Sequence, residues 1–457
     1  MSIKLSGQER YAALSLSSIY AFRMLGLFMI LPVFTIYARQ LYGSTSMLIG
    51  VALGIYGLTQ ACLQIPFGML SDAFGRKRII FMGLLFFAGG SIIAALSHSI
   101  SGIIIGRALQ GAGAVGSTLT ALLADLTREE NRTKAMALVG SIIALSFCAA
   151  MILGPAMNAW VGVPGIFWLT AILAACGIVM LVFVVPTPAR SSFHSDTELK
   201  LSCLGSILKN GALLRQDLGI FMLHAILTAS FIAVPVTLTE IAGLSEMELC
   251  LIFVPVIILA FVAMIPMVVI AESKRKMKQV YFIAVLIITL SQLFLWEFHR
   301  YVWPSAVLLF LFFTAFITLE ATIPSLVSKI APAGRKGTAL GIYSTCQFLG
   351  IFVGGSLGGF FFHRYNVEGV FLFSMFLGFI WLLFAFTMKE PRYISSHNMR
   401  IGKMHKADAQ RLQNQLARMP GVVEVAVIHE EGAAYLKIDK SIVKTEDLQA
   451  MTIAIHH

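Results

Sequence analysis

Charge is what this sequence lacks. Only 12% of its 457 residues are Asp, Glu, Lys or Arg, against roughly 25% in a soluble domain. A chain that also carries 58% hydrophobic residues has too little polar surface to coat a water-soluble globule. Thiol chemistry is sparse as well. The six cysteines, Cys62, Cys148, Cys176, Cys203, Cys250 and Cys346, are far apart, with no CxxC or zinc-type spacing. Most fall in apolar runs, where cysteine acts as a small hydrophobe, so neither a disulfide nor a metal is expected. No HExxH, GxSxG or paired catalytic acids occur, so no enzyme chemistry is expected. No cleavable signal peptide is visible in the polar stretch that holds Lys4, Glu9 and Arg10.

Long apolar runs are what is present. Crossing the hydrocarbon of a bilayer takes about 20 apolar residues, and runs of that length recur from Leu14 to Met388. Twelve spans are expected: 14–38, 46–70, 78–98, 101–125, 134–158 and 164–186, then 217–240, 248–271, 279–298, 303–328, 336–362 and 367–388. The net charge of +11 does not point to nucleic acid, because it sits in short clusters between spans. Alternate loops hold Arg76, Lys77 and Arg78; Arg128, Arg132 and Lys134; Arg190, Lys200, Lys209 and Arg215; Lys274, Arg275, Lys276 and Lys278; and Lys329, Arg335 and Lys336. The opposite loops offer Arg39, Arg300 and Arg364. By the positive-inside rule both termini are expected in the cytoplasm.

Residues 1–188 and 217–390 are thus two six-span halves, and 189–216 reads as a cytoplasmic linker. Residues 391–457 form a soluble tail. There Lys406–Met419 is an amphipathic helix with Leu412, Leu416 and Met419 on one face. Val422–Ile428 alternates as a strand with Val423, Val425 and Val427 on one side. Strands at Met399–Met404 and Ala434–Ile438, a helix at Thr445–Met451 and a last strand at Thr452–Ile455 complete a βαββαβ order.

The loop after the second span reads Gly68-Met-Leu-Ser-Asp72-Ala-Phe-Gly75-Arg76-Lys77-Arg78. It resembles the signature of the major facilitator superfamily, G-x-x-x-D-x-x-G-R-[KR]-[KR], at every key position. Topology charges alone explain the basic residues but not Gly68, Asp72 and Gly75. Gly68 is expected to let helices approach closely, and Asp72 to cap backbone N–H groups and pair with Arg76. The resemblance implies that Asp72 and Arg76, with Asp125 at the end of the fourth span, latch the two halves in the outward-facing state, beside Gly68, Gly75 and Arg78. It also implies an all-α membrane fold with the substrate site between the halves. The tail resembles the ferredoxin-like domain of heavy-metal-associated proteins without its M-x-C-x-x-C motif, so regulation, self-association or a partner contact is expected of it.

The fourth span holds Arg107-Ala-Leu-Gln110-Gly111-Ala-Gly113, which resembles a second family signature, R-x-x-Q-G-x-G. An arginine inside a span costs at least ~2.5 kcal/mol on insertion scales, so Arg107 is expected to face a cavity, with snorkelling to the membrane surface as the alternative. Gly111–Gly116 also spells G-x-G-x-x-G; inside an apolar helix it is a packing feature, not a nucleotide site. Gly154-Pro155 partly resembles the antiporter signature of the fifth span and is expected to kink it.

Few ionisable groups lie within spans: Arg23, Arg107, His224 and Glu320. A carboxyl there is a natural proton carrier, so Glu320 is the protonation candidate, against an ion-paired or vestibule-facing Glu320. Arg23, Arg107, Gln110, His224 and Glu320 are the candidate proton and substrate residues. The expected function is a proton-driven exporter of drug-like or other small molecules in a bacterial inner membrane, needing no cofactor beyond the proton gradient. Two arginines in the cavity leave open an organic-anion or sugar carrier, and the tail leaves open a transporter-derived sensor.

Overall fold

The computed structural model describes residues 6–187, 204–390, 395–402 and 404–438. Among these, nine helices are long and apolar enough to cross a membrane. The first run is α1 (Gly7–Phe28) and α2 (Leu31–Ala38), followed by α3 (Ser46–Phe74) and α4 (Arg76–Leu96). Next come α5 (Ile100–Ala112), α6 (Gly116–Asp125) and α7 (Glu129–Val179). The second half has α8 (Leu204–Leu208), α9 (Gly211–Val236), α10 (Glu246–Glu272), α11 (Met277–Phe298), α12 (Val302–Ile330) and α13 (Lys336–Phe386). Small polar residues start several of them. Ser6 and Ser245 form capping boxes with Glu9 and Glu248, and Thr45, Ser99 and Asn210 accept from N–H groups of the first turn, which would otherwise lack partners.

Hydropathy misplaces the ends and hides the breaks. The expected fourth span is two helices, interrupted at Gly113–Val115, so the glycine motif sits at a break and not inside a continuous helix. The expected fifth and sixth spans run on as α7 across Gly162, whose φ of 68° breaks the helical path. The last two run on as α13 across Tyr365 and Asn366, the latter at φ 54°. α9 starts at Gly211, so the expected linker gives its last residues to a helix. Residues 189–203 of that linker, with Arg190, Lys200 and Cys203, lie outside the described residues, and 204–208 form α8. The five described cysteines are free.

The two ends of the bundle differ. Glu9 meets Arg128, Arg76 meets Asp125, and Glu272 meets Lys329, which gathers the basic loops at one end. At the other end Tyr42 bridges Ser99, and Arg39 pairs with Glu240. The halves meet where α3 lies along α13, α7 along α10, and α2 along α9. Between α3 and α13 the approach is backbone to backbone: a Cβ on Gly50 would stand 2.2 Å from the Gly355 carbonyl oxygen.

The tail folds as a three-stranded antiparallel sheet in the order β1-β3-β2, with α14 (Lys406–Ala417) packed on β2. β1 is Ser395–Arg400, displaced from the expected Met399–Met404. β2 (Val422–Ile428) has a bulge between Val422 and Glu424. The extra residue shifts the alternation: Val422, Val425 and Val427 join the core of Leu412, Leu416 and Leu436, while Val423 is exposed, contrary to simple alternation. β3 (Ala433–Ile438) is buried throughout. One of its faces covers α14, and Ala433 and Tyr435 on the other cover Ala333 in the loop after α12. The expected helix at Thr445–Met451 and strand at Thr452–Ile455 lie outside the described residues.

Candidate functional site

At the basic end, Gly75 turns α3 into α4 with φ 93°, a backbone conformation that glycine adopts without steric cost. The turn aims the buried Arg76 back at three acceptors. Its Nη1 donates to Ser71 Oγ at 2.8 Å and to Asp72 Oδ1, and its Nε donates to Asp125 Oδ2 at 3.3 Å. The Asp125 side chain is fully buried, whereas that of Asp72 is 44% exposed. Two expectations change here. No side chain caps the start of α4, so Asp72 holds the arginine and not backbone N–H groups. A Cβ on Gly68 would meet Ser117 Oγ at 3.5 Å, ordinary contact, so no close helix approach depends on Gly68 in this conformation. Arg78 is exposed. Lys77 Nζ donates to the Val185 carbonyl at 2.8 Å.

Arg23 and Arg107 lie in the first half, and both are buried. Arg23 Nη2 donates to the Gly113 carbonyl at 2.9 Å and lies 3.4 Å from Gln60 Oε1. Arg107 Nη1 donates to Gln110 Oε1 at 3.0 Å, and its other nitrogens reach the Ala52 and Leu53 carbonyls at 3.4 Å. Gln110 in turn donates to Ser91 Oγ at 2.8 Å. Arg107 therefore does not snorkel. Both guanidinium groups bond to oxygens of their own half, while Arg23 Nε is buried without a hydrogen-bond partner.

In the second half, α9, α12 and α13 bring His224, Glu320 and Gln347 together. Gln347 Nε2 donates to Glu320 Oε1 at 3.2 Å and approaches His224 Nε2 at 2.9 Å. His224 Nδ1 faces the Ile220 carbonyl at 3.2 Å. A proton on Nδ1 for that carbonyl leaves Nε2 to accept from the amide, the neutral tautomer. Glu320 Oε2 stands 3.7 Å from His224 Nε2 and has no hydrogen bond. No lysine or arginine pairs with Glu320 among the described residues; the one basic side chain within ion-pair distance is His224. Its side chain is 29% exposed. One turn earlier, Phe316 stacks toward Phe147 of the first half at 5.3 Å, and Phe147 meets Phe28 edge-on at 4.9 Å. Beyond this aromatic partition, Thr35 Oγ1 donates to the Phe231 carbonyl at 3.0 Å and Arg39 to Glu240 Oε1 at 2.6 Å. These contacts tie the two halves together between Glu320 and the Arg39 end.

Gly154 and Pro155 lie inside α7, and the non-helical residue of α7 is Gly162. Gly154 serves contact instead: a Cβ there would lie 2.2 Å from the Met29 carbonyl, between α1 and α2. Sequence reasoning passed over Asp217. It is buried two turns into α9, and the Asn210-Gly211 start signal was the clue that would have placed it inside the helix.

A family model described as Major Facilitator Superfamily matches residues 16–355 and 278–426. The chain is 44% identical over 446 residues to the inner membrane transport protein YajR of Escherichia coli, covering 98% of each chain. It is 25% identical over 350 residues to the quinolone resistance protein NorA of Staphylococcus aureus, covering 73% of this chain and 86% of that one. Among solved structures, a bacterial homologue of the human lysosomal transporter Spinster, inward-facing and occupied, superposes with a TM-score of 0.68 at 14% identity, over 84% of this chain and 97% of that one.

Proposed function

Because the chain belongs to the major facilitator superfamily, we propose that it is a proton-coupled exporter of drug-like small molecules, working by alternating access in a bacterial inner membrane. The observation that carries this reading is Glu320: a carboxyl within the second half's helices, 29% exposed, with a neutral imidazole and an amide as its neighbours and no lysine or arginine partner among the described residues. An unpaired carboxylate in such a place is costly, and a bound proton removes the cost. The name of NorA supports the drug-like class. The basic loops support a cytoplasmic position for that end and for both termini.

On this reading α5 and α6 make one crossing, and α7 and α13 make two each, for twelve in all. The halves are residues 1–188 and 217–390, the segment between them is a linker, and 391–457 is a cytoplasmic ferredoxin-like tail that regulates the carrier or contacts a partner. Arg39–Glu240 closes the outer end in this conformation, while Asp72, Arg76 and Asp125, already bonded to one another within the first half, are the cluster against which the second half latches when the inner end closes. Export then proceeds with proton entry: Glu320 takes a proton from outside, the halves rock, and the proton leaves to the cytoplasm. The test is transport in proteoliposomes under an imposed pH gradient, screening lipophilic cations, neutral drugs and organic anions. The expected result is gradient-driven flux of one class that falls at least tenfold in Glu320→Gln. Flux in that variant equal to wild type overturns the proton role of Glu320.

A further inference from the structure

We propose that the cleft between the tail and the basic end of the second half binds a small phosphate-bearing anion, which fastens the tail to the carrier.

The cleft holds about 260 Å³. One water takes about 30 Å³, so a phosphate group with a small substituent fits. One wall belongs to the carrier: the first turns of α9, the end of α12 and the residues that follow α13. The other belongs to the tail, with Val423 and Glu424 of β2 and Lys437 of β3. Val423, left exposed by the bulge, makes part of that wall apolar.

Four cationic side chains line the cleft, Arg215, Lys329, Lys389 and Lys437, against the carboxylates of Glu390 and Glu424. Two of the four are matched within the protein. Lys329 bonds to Glu272, and Lys437 stands 3.7 Å from Glu424. The side chains of Arg215 and Lys389 have no hydrogen bond or ion pair among the described residues. Arg215 is half-buried, and a guanidinium partly withdrawn from water without an acceptor costs free energy that a bound anion offsets. Beside it on α9, Gln216 is 1% exposed, yet its Oε1 has no hydrogen-bond partner and its Nε2 reaches Met388 Sδ at 3.9 Å. A thioether is a weak acceptor. Both ends of a buried amide at the cleft wall are therefore poorly satisfied.

Phosphate meets these demands together. Its oxygens accept from Arg215 and Lys389, and a protonated phosphate oxygen donates to Gln216 Oε1. An ionised carboxylate has acceptors alone, and a neutral ligand leaves both cations unmatched. Ala212, the second residue of α9, lines the cleft as well, so the positive end of that helix dipole adds to the attraction. Asn210 already takes the N–H groups of Ala212 and Leu213, which leaves the grip to side chains. Lys437 is held to the carrier by the Lys329 carbonyl at 2.9 Å, and Glu424 by the Ala333 N–H at 3.1 Å. An anion between Arg215 and Lys437 adds a charged bridge to these bonds. β1 lies against α7 of the first half, so a tail fastened in this way spans both halves at that end.

Proteolytic release of the tail from the full-length protein, in nanodiscs of phosphatidylcholine with inorganic phosphate as the probe, tests this. A ligand of the docked form alone slows release by one plus the ratio of its concentration to Kd, so about fourfold slowing is expected at about three times the Kd. Sodium chloride of equal ionic strength is expected to leave release unchanged. Arg215→Gln combined with Lys389→Gln abolishes the response, while release without phosphate stays as in wild type. If the double variant does not fold, Lys389→Gln alone decides on the same terms. Nanodiscs containing phosphatidylglycerol form the second arm. Slowing by that lipid alone, lost in the variant, assigns the phosphate to a lipid headgroup; slowing by free phosphate assigns it to a soluble ligand. Equal responses in wild type and variant overturn the inference, as does a wild type that neither phosphate source affects.

Discussion

Arg23 donates to the carbonyl of Gly113 at 2.9 Å, at the break between α5 and α6. A helix break inside a membrane frees backbone groups that water does not reach, and each must find a partner within the protein. The arginine that looked like a substrate ligand is one such partner, beside the Val115 N–H, which donates to the same carbonyl at 2.8 Å. Arg23→Met leaves the Gln60 amide oxygen unmet and is expected to destabilise the fold by about 1–3 kcal/mol. Thermal unfolding of the purified protein checks it, and a melting temperature equal to wild type counts against the role.

Asp72 and Asp125 share one arginine but not one environment. Removing the charge of the fully buried Asp125 strands much of a buried guanidinium, at about 3 kcal/mol. Asp72 is 44% exposed, so Asp72→Asn is expected to cost under about 1 kcal/mol. Asp125→Asn should therefore lower the melting temperature clearly and Asp72→Asn hardly. Equal losses would show that the two carboxylates are interchangeable.

Asp72→Asn is nevertheless expected to slow transport, because it weakens the latch while sparing the fold. Labelling of single cysteines placed near Arg39 reports which end is open. Wild-type flux together with unchanged labelling would remove Asp72 from the gating scheme.

Arg39 and Glu240 tie the halves at the opposite end, with side chains 32% and 46% exposed. A pair of that exposure is worth about 0.5–1 kcal/mol, which shifts a two-state population by about two- to fivefold. Arg39→Glu should raise labelling at this end, and adding Glu240→Arg should restore it. Failure of the double exchange to restore labelling would leave the pair without a gating role.

Lys437 joins the tail to the carrier. It is buried, donates to the Lys329 carbonyl at 2.9 Å and stands 3.7 Å from Glu424, which accepts from the Ala333 N–H. Lys437→Met removes the donor and is expected to speed proteolytic release of the tail several-fold, with faster amide exchange around Ala333. Unchanged release rates would place the tail's attachment elsewhere.

Much of this was legible in the chain. The apolar runs, the Gly68–Arg78 motif and the strands of the tail announce themselves because hydropathy and turn chemistry are local. Other features are not local. The interruption at Gly113 is invisible to hydropathy, which records the transfer of side chains to lipid and ignores which carbonyls are bonded. Whether Arg23 and Arg107 face a cavity depended on acceptors 30 to 90 residues away in the chain, at Ala52, Gln60 and Gly113. Val423 was misassigned because one bulge residue reverses the alternation beyond it. Asp217 was missed by the placement of one helix start.

The contact of Gly50 with Gly355, and of Gly54 with the Phe352 backbone, makes the line between the halves a seam rather than a weld. Main chain lies on main chain there, and side chains interlock only farther along, where Tyr56 meets Phe348 and Gln64 donates to the Gly341 carbonyl. Parting the seam exposes peptide groups that water solvates well and little of the apolar area that costs about 25 cal/mol per Å². The halves of this carrier can be sealed tightly at one end and still separate cheaply. The choice of which end stays closed falls to a few charged residues at the rims.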